Sequence, residues 1–522
     1  MKKTISLLLA LLLLLPAFAG CGESKENADA PASQAQAENN GQTTPDEETV
    51  PEETEEPDPF ADRDYNGQSL RICTSTNVAA VTLGNSNLYI EGPEELTGDA
   101  APDEVFQRNK YVEDLLNMKL DFTGVDLSFT DVEGYLHRYV ATAADDYDLF
   151  INDMRGSCAA SVKGGFLNRL NIGNFDFSAP WWYEDFMQDV SLIPDYQCVL
   201  AGDFFIDILR SSHILLVNKS LYTDLYGEDG PAALYDEVFE GKWTYDRFIE
   251  ITEGSYADLN GNGKPDTSDR FGYAAFQNYG PMIPFVASAN PGFIERGAEG
   301  ITGVAMYNER ALQLYDYIKR IFMSPNSGTL QVFKEDQEGA MRQFTEGRCM
   351  ILGYQRLGSL EYALLRDMEA DFGILPYPKL TEGDEYVTSA HDTSEIGLIP
   401  VTIAPDSLEF ISAAVEVLSR ETFKKVLPVY YDSSMKMKYT RDQTSARMLD
   451  LIHDNIGDSF PLAWGPALGD ILVYGTYYVG MTDGREFTSV FKSQEKVVQK
   501  MLDKYIQSYR KIADQQADYW VD

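Results

Sequence analysis

Basic residues, cysteine, histidine and long apolar runs are all in short supply in this chain. Lysine and arginine number 42 against 83 aspartates and glutamates in 522 residues, for a formal charge of −41. No basic cluster interrupts that surplus. Nucleic acid and anionic lipid surfaces are gripped by Lys and Arg that displace counterions, so neither is an expected electrostatic partner. After Leu15 no apolar run approaches the length of a bilayer span, and the body is expected to be soluble. The four histidines, His137, His213, His391 and His453, are scattered. The patterns G-x-S-x-G, H-E-x-x-H and G-x-x-x-x-G-K are missing, so no enzyme is expected on motif grounds. No internal repeat argues for a solenoid or propeller. Beyond Cys21, only Cys73, Cys158, Cys198 and Cys349 occur. Their spacing fits no zinc motif, and they permit either disulfides in an exported protein or buried free thiols.

What is present begins with a leader. Lys2 and Lys3 form a positive start, Leu7 to Leu15 an apolar core, and Phe18-Ala19-Gly20-Cys21 a small-residue cleavage site. This run resembles the bacterial lipobox, with Phe18 in place of the usual aliphatic residue. The resemblance implies that residues 1–21 are a lipoprotein signal and that Cys21 is acylated, palmitate being one expected chain. The consequence would be a protein anchored by lipid at the extracellular face of the cell membrane. Between Gly22 and Asp64 there are 14 acidic residues against Lys25 and Arg63. So little apolar surface cannot offset the entropy of ordering, so residues 22–64 are expected to form an extended, disordered tether.

The body alternates strand and helix. Ser69 to Thr74 reads as a strand, Asp103 to Met118 as a helix, Leu120 to Phe122 as a strand, Asp131 to Ala144 as a helix and Tyr147 to Ile151 as a compact strand. Such alternation predicts parallel sheets flanked by helices, with ligands at the carboxyl ends of strands. Thr244 can cap a helix from Tyr245, with Trp243 and Phe248 as its hydrophobic staple. Trp181 and Trp182 read as packing, as does the stripe Val498, Met501, Leu502, Tyr505, Ile506, Tyr509 and Ile512.

Several segments carry a resemblance: YDLFINDMRGSCAASVKGGFLNRL at 147–170, Trp181-Trp182, ILLVNKSLY at 214–222, GKWTYDRFIEIT at 241–252, FTEGRCMILGY at 344–354 and DFGILPYPK at 371–379. In this order the chain resembles the extracellular solute-binding lipoproteins of ABC importers, family 1, the maltodextrin-binding-protein-like carbohydrate-uptake type. The resemblance implies an α/β, two-lobed periplasmic-binding-protein-like fold of type II, each lobe a sheet flanked by helices and the two joined by hinge strands. Residues 65–205 plus 375–425 would form the first lobe and 206–374 plus 426–522 the second. The crossings would fall near Leu200 to Val217 and Gly373 to Pro378. The implied partners are a carbohydrate ligand, ABC permease subunits and the membrane through the lipid anchor, with the protein itself a monomer. Other readings are a binder of another small polar solute or peptide, a surface sensor or adhesin, or a lipid-anchored glycoside hydrolase.

Two sets of residues carry candidate chemistry. From Asp258 to Asp269, side-chain oxygens of Asp258, Asn260, Asn262, Asp266 and Asp269 fall at positions 1, 3, 5, 9 and 12 of a loop. Glycine stands at position 6, and the Lys264 carbonyl is available at 7. That spacing suits a structural Ca2+, although position 12 is Asp where Glu is usual and position 8 is Pro265. For the ligand, aromatic faces and planar polar groups are the expected lining for a sugar. The candidates in loop-like contexts are Arg155, Tyr279, Tyr354 and Trp464, with Arg155 on the lobe opposite the aromatic platforms.

Overall fold

The computed structural model describes residues 58–76, 87–204, 206–324, 328–333, 338–391, 394–436, 443–457, 459–478, 482 and 485–517. The leader, Cys21 and residues 22–57 of the expected tether lie outside the described residues. Residues 57–522 form one compact unit, and its described part begins earlier than the tether was expected to end. Phe60 is buried, the Arg420 guanidinium lies 5.8 Å from its ring, and Asp58 accepts two hydrogen bonds from Arg420 at 3.0 and 2.5 Å. Burial alone would raise the Asp58 carboxyl; the Arg420 hydrogen bonds and charge, with the Phe60 N–H and the Lys424 charge, together hold the group below its ordinary value. The acidic composition hid one aromatic anchor, and 58–64 belong to the body.

Eleven strands are described. The first sheet has the order β11-β3-β1-β2, built from β1 (Gln68–Ser75), β2 (Met118–Val125), β3 (Leu149–Asp153) and β11 (Glu395–Leu398). β1 runs parallel to β2 and β3, whereas β11 is antiparallel to β3. The second sheet has the order β10-β4-β9-β5-β8, from β4 (His213–Asn218), β5 (Phe271–Phe276), β8 (Thr329–Phe333), β9 (Cys349–Arg356) and β10 (Phe372–Leu375). β5 is parallel to β8 and β9; β4 is antiparallel to β9 and β10. The sheets are therefore mixed, not purely parallel as the alternation predicted. The antiparallel members are the strands beside which the chain passes between lobes. A hairpin, β6 (Ile294–Gly297) and β7 (Gly300–Val304), reaches from the second lobe to the first, where the Ile301 N–H donates to the Leu192 carbonyl at 3.1 Å.

The first passage lies between Leu200, which pairs with Gly397 of the first sheet, and His213, which opens β4 of the second. The second passage comes later than Gly373 to Pro378. Lys379 exchanges backbone hydrogen bonds with Trp243 and Tyr245, and the Tyr386 hydroxyl donates to the Val238 carbonyl, so this stretch stays on the second lobe. The crossing falls at Ser389–His391, where the His213 N–H donates to the Ser389 carbonyl and the His391 N–H to the Ser211 carbonyl, both at 2.9 Å. Two further lobe assignments change. Tyr430 packs edge-on against Tyr89 of the first lobe at 5.6 Å. The helix Phe487–Gln516 serves both lobes: Gln499 accepts from the Val304 N–H, while Tyr509 bonds Ser161 and Gln516 bonds Asn168. Assigning 426–522 wholly to the second lobe does not hold. Its long apolar stripe looks the same whichever lobe covers it.

Local signals were more faithful. Thr244 accepts from the Arg247 N–H at 3.4 Å, and Trp243 lies edge-on to Phe248 at 6.1 Å with no exposed surface. The four body cysteines are buried free thiols, and burial raises each of them, Cys73 to about 12. Buried and held as neutral thiols, they are poor nucleophiles.

Candidate functional site

The chain crosses between sheets next to a cavity of about 470 Å³, within the roughly 300–1,000 Å³ of small-molecule sites. Phe129, in the loop after β2, borders it from the first lobe. Phe276 at the end of β5, Asn278 after it, Tyr354, Gln355 and Arg356 at the end of β9, and Tyr362 border it from the second, with His391 from the crossing segment. Phe129 and Tyr362 are 48% and 37% exposed. They leave aromatic surface open at the cavity where most of the chain's aromatic rings are packed away.

Tyr354 is the sequence candidate that this cavity holds. Its φ of 53° puts a bulky non-glycine residue in the left-handed region, a strain on the order of 1–3 kcal/mol that neighbours must hold in place. The Tyr377 hydroxyl accepts the Tyr354 N–H at 2.8 Å, and the His213 ring stacks on the phenol at 5.5 Å and 20°. Gly280 leaves the other approach clear, because a Cβ there would stand 2.5 Å from the phenol ring. The phenol oxygen lies 3.3 Å from His391 Nε2. Burial drives His391 well below its ordinary value, and the nearby Arg356 and Arg155 guanidiniums push the same way, so the imidazole is neutral.

Arg155 and Tyr279 are brought together, in an adjoining recess of about 10 Å³ that also includes Asp470 and Tyr474. That is about the space of one water. Arg155 sits where β3 runs into the helix Met154–Ser161, whose first turn is capped by the Asp153 carboxylate accepting the Gly156 N–H at 2.7 Å. Its guanidinium pairs with Asp470 at 2.5 Å. Tyr279 packs edge-on against Tyr474 at 5.1 Å. Trp464 is a correction. It is 1% exposed, its indole N–H donates to the Val190 carbonyl at 2.8 Å, and its ring stacks on Tyr505 and meets Tyr509 edge-on. No face is open for a ligand. The Gly465-Pro466 that follow suggested a loop, but the long C-terminal helix covers it.

The 258–269 loop winds as a series of turns closed by its own side chains. Asp258 accepts from the Gly261 and Gly263 N–H groups, Asn260 from Asn262, and Asn262 from Lys264. Gly261 and Gly263 have φ of 70° and 71°, which such a loop needs. The Asn260 and Asn262 amides both reach the Asp266 carboxylate, at 3.1 and 2.7 Å, so positions 3, 5 and 9 converge. Asp269 is fully buried and accepts from the Leu259 and Asp266 N–H groups. Among the described residues no three His, Cys, Asp or Glu side chains form a metal-holding group. A cation here would therefore depend on the two asparagine oxygens turning inward.

Sequence reasoning missed Phe129, Arg356, Tyr362 and His391. A signal for the second lobe was available: residues at or just past the carboxyl end of a strand, as Arg356 ends β9 and Tyr362 follows it, are where ligands collect in α/β folds.

No family model matches the chain, and no curated protein matches it by sequence. Solved structures do. The cyclic α-maltosyl-1,6-maltose binding protein of Arthrobacter globiformis aligns over 84% of this chain and 99% of its own, at 13% identity and a TM-score of 0.52. An ABC transporter solute-binding protein of Thermotoga lettingae, bound with α-D-tagatose, aligns over 84% and 100% at 11% identity and 0.51. A cyclo/maltodextrin-binding protein complexed with maltotetraose aligns over 86% and 98% at 10% identity and 0.50. The chain has the two-lobed solute-binding-protein fold. Among the described residues no helix is long and apolar enough to cross a membrane.

Proposed function

We propose that the protein is the capture component of an ABC importer: it binds a sugar or oligosaccharide between its lobes and presents it, unaltered, to permease subunits. The observation that carries this reading is the cavity at the crossing, bordered by Phe129 on one lobe and by Tyr354 and Tyr362 on the other. A ligand touching both lobes stabilises their closed arrangement over an open one, so capture and closure are one equilibrium. Tyr354, held rigid by His213, Gly280 and Tyr377, offers a phenol edge and hydroxyl to the ligand. Arg155 and Tyr279 border the site from the neighbouring recess. A thermal-shift screen against mono- and oligosaccharides tests the reading, since a ligand that binds only the folded state raises the melting temperature. At least one saccharide is expected to do so. Loss of a buried aromatic anchor costs about 2 kcal/mol, so Tyr354→Ala should weaken that saccharide roughly thirtyfold. A complete screen without a shift would remove the reading.

The anchor belongs to the same proposal. Acylation needs the Cys21 thiol, so Cys21→Ser should move the protein from washed membranes to the soluble fraction. Retention of the variant in membranes would refute a lipid anchor at that residue. One acyl chain alone binds only marginally, so stable retention of the native chain implies more than one.

We further propose that the 258–269 loop holds Ca2+ through Asp258, Asn260, Asn262, the Lys264 carbonyl, Asp266 and Asp269, in a structural role. Bound calcium would tie together side chains that otherwise accept the loop's own N–H groups or, for Asn260 and Asn262, reach the Asp266 carboxylate. Chelation is expected to lower the melting temperature of protein shown to contain calcium, and Asp258→Ala to abolish that response. Saccharide affinity should survive both, because the loop is not part of the cavity. Equal melting with and without chelator would count against the site.

A further inference from the structure

In a chain with 83 acidic and 42 basic residues, a basic side chain readily finds an acidic partner. Arg155 has Asp470, Arg210 has Glu361 and Arg71 has Asp148. Arg356 is different. It ends β9 and lines the 470 Å³ cavity, yet its guanidinium makes no ion pair and donates no hydrogen bond to any described residue. Its backbone is fixed nonetheless, the Arg356 N–H donating to the Ser359 hydroxyl at 3.2 Å.

The rest of the lining does not neutralise it. Glu338 is the other formally charged residue there, and its carboxylate is held by Arg342 at 3.3 Å on an exposed helix end. His391 is neutral and adds no charge of its own. Among the described residues the cavity therefore presents one positive group with no counter-charge, accompanied by the Asn278 and Gln355 amides and the Tyr354 hydroxyl as neutral hydrogen-bonding groups. A guanidinium offers paired N–H groups in a planar fork that matches the two oxygens of a carboxylate or phosphate. The −41 charge of the whole chain repels anions at a distance, but that field is screened beyond about 10 Å in 0.1 M salt. Inside the cavity the nearest charge decides.

We propose that the cavity takes a saccharide carrying an anionic substituent, whose oxygens pair with the Arg356 guanidinium. The inference rests on the saccharide reading above and narrows its ligand class. Calorimetry with digalacturonate, glucose 6-phosphate and maltose tests it, the first two separating a carboxylate source from a phosphate source. One of the acidic probes is expected to bind at least tenfold more tightly than maltose and to weaken as salt is raised. Arg356→Gln should reduce its affinity about 10- to 100-fold, a loss at least several-fold greater than any it causes for maltose, and preserve the circular dichroism spectrum. Arg356→Lys should retain part of it, and provides the comparison if the glutamine variant does not fold. Equal affinity for maltose, or an acidic probe indifferent to Arg356→Gln, overturns the inference and leaves saccharide capture standing. Failure of every acidic and neutral saccharide overturns both.

Discussion

Arg210→Met is expected to cost about 3–5 kcal/mol of folding stability, the scale on which removal of one partner of a buried ion pair is felt. Arg210 has no exposed surface, and it sits on the short helix Ile206–Arg210 by which the chain first crosses between lobes. Its guanidinium donates to both Glu361 oxygens, at 3.0 and 2.9 Å, and lies 3.8 Å from the centre of the Tyr89 ring. Tyr430 donates to the same Glu361 carboxylate at 3.2 Å. One cation thus joins two rings of the first lobe to a carboxylate of the second. Methionine keeps much of the volume but leaves Glu361 without its counter-charge. Denaturant unfolding measures the loss, and Glu361→Gln should recover part of it in the double variant, because the stranded charge is then gone. A loss below about 1 kcal/mol, the value of an exposed pair, would contradict this account of the crossing.

Trp464→Ala should be similarly damaging, by about 3–5 kcal/mol, the usual cost of emptying a buried aromatic site. The indole fills space between Val190, Tyr505 and Tyr509, and its N–H satisfies the Val190 carbonyl. Both the cavity and an orphaned acceptor contribute to the loss. Any protein that remains folded should bind its saccharide with unchanged affinity. A stable variant that has lost affinity would restore Trp464 to the ligand site.

The contrast between Trp464 and Trp243 shows what was legible. Trp243 was placed by a local device, a staple spanning six residues, and local devices are written in consecutive sequence. So were β1, β2 and β3, short strands set between helices. Trp464 is decided by a helix whose relevant rings lie some forty residues further on, and no periodicity records that. The second crossing was misplaced for the same reason: the stretch after β10 stays on the second lobe because Lys379 meets Trp243 and Tyr386 meets Val238, pairings of long sequence separation. Of the candidate site, Tyr354 was visible through its glycine-flanked context. Arg356 was not, because a lone arginine in an acidic chain reads as half of an ion pair, and only the structure shows that no described residue supplies the other half.

The central claim is that ligand enters the cavity bordered by Phe129, Tyr354, Arg356 and Tyr362. Hydrogen–deuterium exchange, with and without a saturating saccharide identified by the thermal-shift screen, tests it most directly. Slowed exchange is expected at 127–131, 276–280, 353–362 and 389–391, on both lobes and at the crossing together. Protection confined to other segments, or to one lobe alone, would contradict it.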